Sequence, residues 1–204
     1  MASRLVLVRH ARVDARFAGR FIGASDPPLD EAGRKQAEAL AGRVRRFAPG
    51  RCYCSPMRRC RQTFSALALD LPVEFDGDLR EIDFGRWENH SFDELPDEDR
   101  PLVDRWAAFD ADFAFPGGES LQGFFARVAA AADRMVRDPA DTVLAVAHGG
   151  VIRATICRLL GLPPRNYALF EVDYAAVVVL RLYDGKGVLA FSRSDEPPGG
   201  VNHG

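Results

Sequence analysis

Residues Arg4-Leu5-Val6-Leu7-Val8-Arg9 and Thr142-Val143-Leu144-Ala145-Val146-Ala147 are two six-residue, largely apolar runs, each followed at once by a histidine, His10 and His148. Such runs are too brief for a helix, and their β-branched content suits a strand covered on both faces. Helical patterns alternate with strand-like runs through most of the chain. This predicts an α/β fold, a three-layer sandwich with a mostly parallel central sheet flanked by helices. In open α/β sheets ligands bind beyond the carboxyl ends of the strands, so both imidazoles stand where a site is expected.

Working outward from the first run, a Gly/Pro-marked loop leads to Asp30, an N-cap for a helix over about 31–47 with Ala37, Leu40, Ala41, Val44 and Phe47 on one face. A strand at 51–54, a helix at about 57–69 and a small strand at 72–75 follow. Segment 92–113 carries eight acidic residues against Arg100 and Arg105, and reads as an insertion with one or two short helices. Its Phe92, Trp106, Phe109 and Phe113, with Phe115 beyond, could stack on a ligand, although such residues more often pack a core. A strong helix spans about 119–137, and another follows His148 over about 151–160, stopped by Gly161 and Pro163. Two last strands, 170–183 with a break and 188–193, are joined by a turn at 184–187. Residues 1–195 are expected to form a single domain with an acidic, lid-like insertion at about 88–118. The Pro/Gly-rich tail 196–204 is expected to be disordered.

The chain has 204 residues, 27 Lys plus Arg against 29 Asp plus Glu, and a formal charge of −2. That balance offers no electrostatic footprint for nucleic acid or an anionic membrane, so any anion site must be local. No apolar run approaches a bilayer span, and the first residues do not read as a signal peptide. Cys52, Cys54, Cys60 and Cys157 lack zinc-ligand spacing and read as free, buried or half-buried thiols, consistent with a reducing cytoplasm. No P-loop pattern is present.

Arg9 stands beside His10, and Arg58, Arg59 and Arg61 cluster at the next strand-to-helix junction. Helix N-termini and guanidinium forks hold phosphate or carboxylate groups. These three arginines fan around a helix, so not all of them can face the same site.

Six motifs extend this pattern in order: Arg9-His10; Gly19-Arg20-x-x-Gly23-x-x-Asp26-x-Pro28-Leu29; Ser55-Pro-Met-x-Arg59-Cys-x-Gln-Thr; Leu79-Arg-Glu81-Ile-Asp-Phe-Gly85-x-Trp87-Glu88; Pro116-Gly-Gly-Glu119-Ser; and Val146-Ala-His148-Gly-Gly-Val-Ile-Arg153. Together they resemble the histidine phosphatase superfamily, in the branch of α-ribazole phosphatase-like and phosphoglycerate mutase-like enzymes. The resemblance implies a phosphoglycerate mutase-like fold. It also implies that His10 attacks phosphorus to give a phosphohistidine, that Arg9, Arg59 and His148 hold the phosphoryl oxygens beside Gly149, and that Glu81 is the proton donor. Such a donor should lie beside the phosphate and be partly desolvated. No metal or cofactor is implied. The implied partner is a small-molecule phosphate ester, and the protein is expected to be a monomer or homodimer in the cytoplasm.

The chain departs from the family pattern after the nucleophile. Arg9-His10-Ala11-Arg12-Val13 replaces Arg-His-Gly-Glu-Thr, and Arg16 stands where an asparagine is usual. Arg16 is therefore a candidate phosphate ligand, and the turn after His10 must use an ordinary backbone conformation. Asn89, in place of the glycine of Trp-Glu-Gly, reads as structural. The expected activity is metal-independent phosphomonoester hydrolysis on a small metabolite, with α-ribazole 5′-phosphate or a sugar or nucleotide monophosphate as candidates. Two alternatives are a phosphoglycerate mutase-type isomerase, for which the compact, acidic insertion is ill suited, and a phosphate-recognising protein with little turnover.

Overall fold

The computed structural model describes residues 1–110 and 112–190. Six strands form one sheet: β1 (Arg4–Arg9), β2 (Arg51–Cys54), β3 (Val73–Phe75), β4 (Thr142–Ala147), β5 (Val177–Tyr183) and β6 (Lys186–Ala190), in the order β3-β2-β4-β1-β5-β6. The pairs β2–β3, β2–β4 and β1–β4 are parallel, and β5 and β6 add an antiparallel margin.

Alternation along β1 explains the layers. Val6 and Val8 face a core formed with Leu40 and Val44 of helix α1 (Glu31–Arg45) and Cys60 of α2 (Arg58–Ala66). Leu5 and Leu7 face the opposite core, with Phe124 and Val128 of α4 (Leu121–Arg137) and Ile152 and Ile156 of α5 (Gly149–Leu160). The short α3 (Arg100–Ala107) lies in the insertion. All four cysteines are free and buried.

The connections create the crevice. The chain leaves β1 on the α1 face and crosses to β2, whereas it leaves the adjacent β4 on the α5 face and crosses to β5. The carboxyl ends of β1 and β4 therefore diverge, which is the switch point where open sheets bind ligands. His10 and His148 occupy these two ends.

Helix starts follow their caps: Asp30 accepts from Gly33 N at 2.6 Å, and Ser120 accepts from Gly123 N at 3.0 Å, so α4 begins at Leu121 rather than at 119. Helix α2 ends at Ala66, short of the expected 69, because Ala68 takes a left-handed conformation at φ 47°. The strand expected over 170–183 begins only at Val177. Residues 170–176 instead fold over the end of β1, where Val172 O accepts from Arg9 and Ala175 N donates to His10 O. The last hairpin is tighter than expected. Asp184 and Gly185, at φ 48° and 77°, form a two-residue turn that suits the strand twist, and β6 starts at Lys186. The expected strand residues 191–193 and the tail 196–204 lie outside the described residues. No described helix is long and apolar enough to cross a membrane.

Candidate active site

His10 is 5% exposed, and its Nδ1 lies 2.9 Å from Ala11 O. A carbonyl only accepts, so Nδ1 carries the proton and Nε2 keeps its lone pair. Burial, reinforced by the positive charges of Arg59 and Arg9, holds the His10 pKa well below the usual imidazole value, so the ring is neutral at pH 7. Ala11 is fully buried, its N–H donates to Thr63 Oγ1 at 3.0 Å, and its backbone φ is not among the positive ones, as the substitution of glycine requires.

Arg9 donates from one terminal nitrogen to Val172 O at 2.6 Å, and its guanidinium lies 4.1 Å from the ring centre of Tyr174. Its Nε is buried and has no hydrogen-bond partner among the described residues, so it is a donor that an anionic oxygen can satisfy. Arg59 is fully buried. It donates from its terminal nitrogens to Ser25 O at 2.6 Å and Gly23 O at 3.0 Å, and from Nε to His148 Nδ1 at 3.2 Å. The loop carrying those carbonyls is pinned from beneath by Glu88, whose carboxylate accepts from Gly23 N, Ala24 N and Ser25 N at 3.0, 2.8 and 3.1 Å.

His148 is buried and packs edge-on to His10, with ring centres 5.2 Å apart. Since its Nδ1 accepts from Arg59, its proton sits on Nε2, which donates to Ser55 Oγ at 2.9 Å. Both ring nitrogens are thus engaged within the protein. A phosphoryl oxygen can reach His148 only by replacing one of these partners, which differs from a free phosphate ligand. Desolvation and the nearby cations hold its pKa well below the usual value.

Glu81 is half-buried and lines the same cavity as His10. Its Oε2 accepts from Gly150 N at 2.9 Å and its Oε1 from Ile82 N at 3.2 Å. The backbone that presents it is clamped by Arg127, which donates to Asp78 O, Arg80 O and Glu81 O and pairs with Glu119 at 2.6 Å. A Cβ on Gly150 would stand 2.4 Å from Glu81 Oε1, so this position must be glycine for the carboxylate to lie there. Gly149 lets Arg9 pass close, with a Cβ there meeting the guanidinium at 3.4 Å.

Arg16 does not join this group. Asp14 caps the following short turn by accepting from Arg16 N, which turns the Arg16 side chain outward, 71% exposed and 3.9 Å from Asp14. Arg12 is structural: it pairs with Asp30 at 2.8 Å, at the start of α1. Asn89 adopts φ 66° and donates to Ser25 Oγ at 2.9 Å, a backbone role suited to asparagine.

A cavity of about 250 Å³ opens at Arg9, His10 and Glu81, while the fully buried Arg59 and His148 stand behind its lining. Arg9, His10, Glu81, Gly150 and Arg153 line its polar end, and Phe21, Phe84, Trp106, Phe115, Phe125 and Tyr167 are among its apolar walls. The insertion aromatics divide by depth. Trp106 and Phe115 reach the cavity, Phe113 is buried beneath Trp87, Phe109 packs on Phe125 and Tyr167, and Phe92 is exposed. Half of the insertion's eight acidic residues are closely paired: Glu94 with Arg20, Asp97 with Arg100, Asp99 with Arg86 and Asp110 with Arg105. Sequence reasoning did not single out Tyr174, Arg127 or Gly150 as site residues. Only Gly150 lay in a recognised motif, and the other two act through contacts distant in sequence.

A buried neutral imidazole, an orphaned guanidinium donor and a carboxylate around one cavity suit phosphoryl transfer. The chain belongs to the histidine phosphatase superfamily, branch 1, which it matches over residues 5–194, and it is an enzyme, a histidine-type phosphatase. It is 32% identical to phosphoserine phosphatase 1 of Hydrogenobacter thermophilus over 91% of this chain and 90% of that one. It is also 32% identical to the adenosylcobalamin/alpha-ribazole phosphatase of Salmonella typhimurium, over 91% and 94% of the two chains. The crystal structure of the alpha-ribazole phosphatase from Shigella flexneri superposes with a TM-score of 0.82 at 29% identity, covering 92% of this chain and 94% of that one.

Proposed function

We propose that the protein hydrolyses phosphomonoesters of small metabolites without a metal, through a phosphohistidine on His10 Nε2. The observation that carries this reading is the state of His10: neutral, with Nδ1 held by Ala11 O and the opposite nitrogen bare. A nucleophile must offer an unprotonated lone pair, and here the fold supplies one without a separate base.

In the first step Nε2 forms the N–P bond as the P–O bond to the alcohol breaks, and the Glu81 carboxyl gives its proton to the departing oxygen. Arg9, through its unpartnered Nε, and Arg59 supply positive charge for the phosphoryl oxygens, and His148 keeps the Arg59 guanidinium in register. In the second step water attacks phosphorus, Glu81 takes its proton, the N–P bond breaks and inorganic phosphate leaves. Gly150 N, bonded to Glu81, steadies the carboxylate through both. That Glu81 lines the cavity supports its serving both the leaving group and the incoming water.

The aromatic walls favour an alcohol with an apolar or flat body over a highly charged one such as phytate. Candidate substrates are α-ribazole 5′-phosphate and sugar or nucleotide monophosphates. The test is turnover of phenyl phosphate and a metabolite phosphate panel by pure protein in excess chelator. Activity that survives chelation and is lost in His10→Ala supports the reading, and complete inactivity toward the panel would leave a phosphate-recognising role ahead.

A further inference from the structure

We propose that Arg153 reads one carboxylate on the alcohol portion of the substrate, so that the preferred substrates are phosphomonoesters of small hydroxy acids. This rests on the phosphomonoesterase reading and narrows it, placing neutral alcohols second.

Arg153 sits on α5 one turn beyond Gly149 and lines the cavity. Its Nε donates to Gly149 O at 3.2 Å, and its guanidinium lies 4.9 Å from the ring centre of Tyr167. These two contacts fix the plane of the group and leave the NH1–NH2 edge without a protein acceptor among the described residues. No described carboxylate pairs with it. Of the other two arginines at the cavity wall, Arg9 is turned to Val172 O and Tyr174, and Arg20 is spent on Glu94 and on Asn89 O. Arg153 is therefore a half-buried cation that shares the cavity with the Arg9 guanidinium and the Glu81 carboxylate and makes an ion pair with no described residue. A half-buried guanidinium edge that has no protein acceptor is satisfied by a ligand that brings the opposite charge.

The chemistry of that charge follows from the group that would meet it. A terminal guanidinium edge offers two roughly parallel N–H bonds, which match the two oxygens of a planar carboxylate. One guanidinium balances one negative charge, whereas a second phosphoryl dianion calls for more than one cation. Aromatic neighbours such as Tyr167 and Trp106 exclude water and strengthen the pairing. Arg153 would thus act on the alcohol while Arg9 and Arg59 act on the phosphoryl group, a division that separates specificity from chemistry.

The experiment compares 3-carboxyphenyl phosphate with 3-carbamoylphenyl phosphate, which match in shape and differ in charge. Wild type should favour the carboxylated ester by about tenfold in kcat/KM, as expected of a charge-assisted bidentate contact. In Arg153→Gln that ratio should fall to near one, and Arg153→Lys should keep part of it. The ratio is its own control, since damage to folding or to phosphoryl transfer lowers both substrates together. A wild-type ratio near one, or the same ratio in Arg153→Gln as in wild type, would overturn the inference. Calorimetric binding of the two esters to His10→Ala protein, with Arg153 intact or replaced, reads the same ratio without turnover. If wild type hydrolyses neither ester while the carboxylate preference in binding persists and depends on Arg153, the inference is supported and the phosphatase reading alone is contradicted.

Discussion

The Ala11 carbonyl holds a proton on one nitrogen of His10 and so leaves the other free to attack, while burial between two guanidiniums keeps the ring from taking a second proton. Replacing His10 by alanine should lower kcat/KM about a thousandfold or more, because the remaining charges cannot form the covalent intermediate. Glu81→Gln keeps the hydrogen bond from Gly150 but cannot donate a carboxyl proton. It should cost about a hundredfold with alkyl phosphates and far less with p-nitrophenyl phosphate, whose leaving group needs no proton. Equal losses on both substrates would count against Glu81 as the acid. Residue chemistry also explains what the sequence left hidden here. Arg16 resembled a ligand by position, but the Asp14 cap turns it to the surface, a three-dimensional consequence of one side-chain hydrogen bond.

At the level of elements, the start of α5 and the insertion make different demands on the chain. Gly149 and Gly150 look alike in sequence, yet a Cβ would stand 3.4 Å from Arg9 at the first and 2.4 Å from the Glu81 carboxylate at the second. Gly150→Ala should therefore cut kcat about tenfold or more by displacing Glu81, a loss of the size seen when a catalytic group is misplaced. Gly149→Ala should be far milder, and steady-state kinetics of the pair, with circular dichroism to confirm folding, provides the check. The insertion is tied to the body through Asp99, fully buried, which accepts from Trp87 Nε1 at 2.9 Å and from Arg86. Asp99→Ala strands the buried indole N–H and should cost about 1–3 kcal/mol of stability. A denaturation midpoint equal to wild type would show that the insertion is anchored elsewhere.

Over the whole molecule, two buried neutral histidines tie stability to pH. Both His10 and His148 have pKa values held well below the usual 6.5, so in acid the unfolded chain binds protons that the native protein does not. Their contribution is present above about pH 6.5 and is lost as pH falls below it, by up to about 1.4 kcal/mol per pH unit for each group. Urea unfolding at pH 7.5 and 5.5 should show wild type weakening in acid, with a shallower fall in His148→Gln; identical falls would exclude this source.

Strands β1 and β4 and the two histidines at their ends were legible because short, doubly buried strands read as apolar runs, and ligands gather where such strands end; the half-exposed β3 and β6 were legible from the turn residues that bound them. The path of residues 170–176 was not, since it is shaped by Arg9 and His10 reaching across the sheet for Val172 O and Ala175 N. Nor could spacing reveal that both nitrogens of His148 are engaged, or which insertion aromatics face the cavity. Those outcomes depend on packing between segments far apart in the chain.

The most direct measurement is to quench the enzyme during turnover of a phosphate ester and map the phosphoryl adduct by mass spectrometry under conditions that preserve acid-labile N–P bonds. The account predicts the adduct on His10 and none in His10→Ala. A phosphoryl group on any other side chain, or wild-type turnover sustained by the His10→Ala protein, would contradict it.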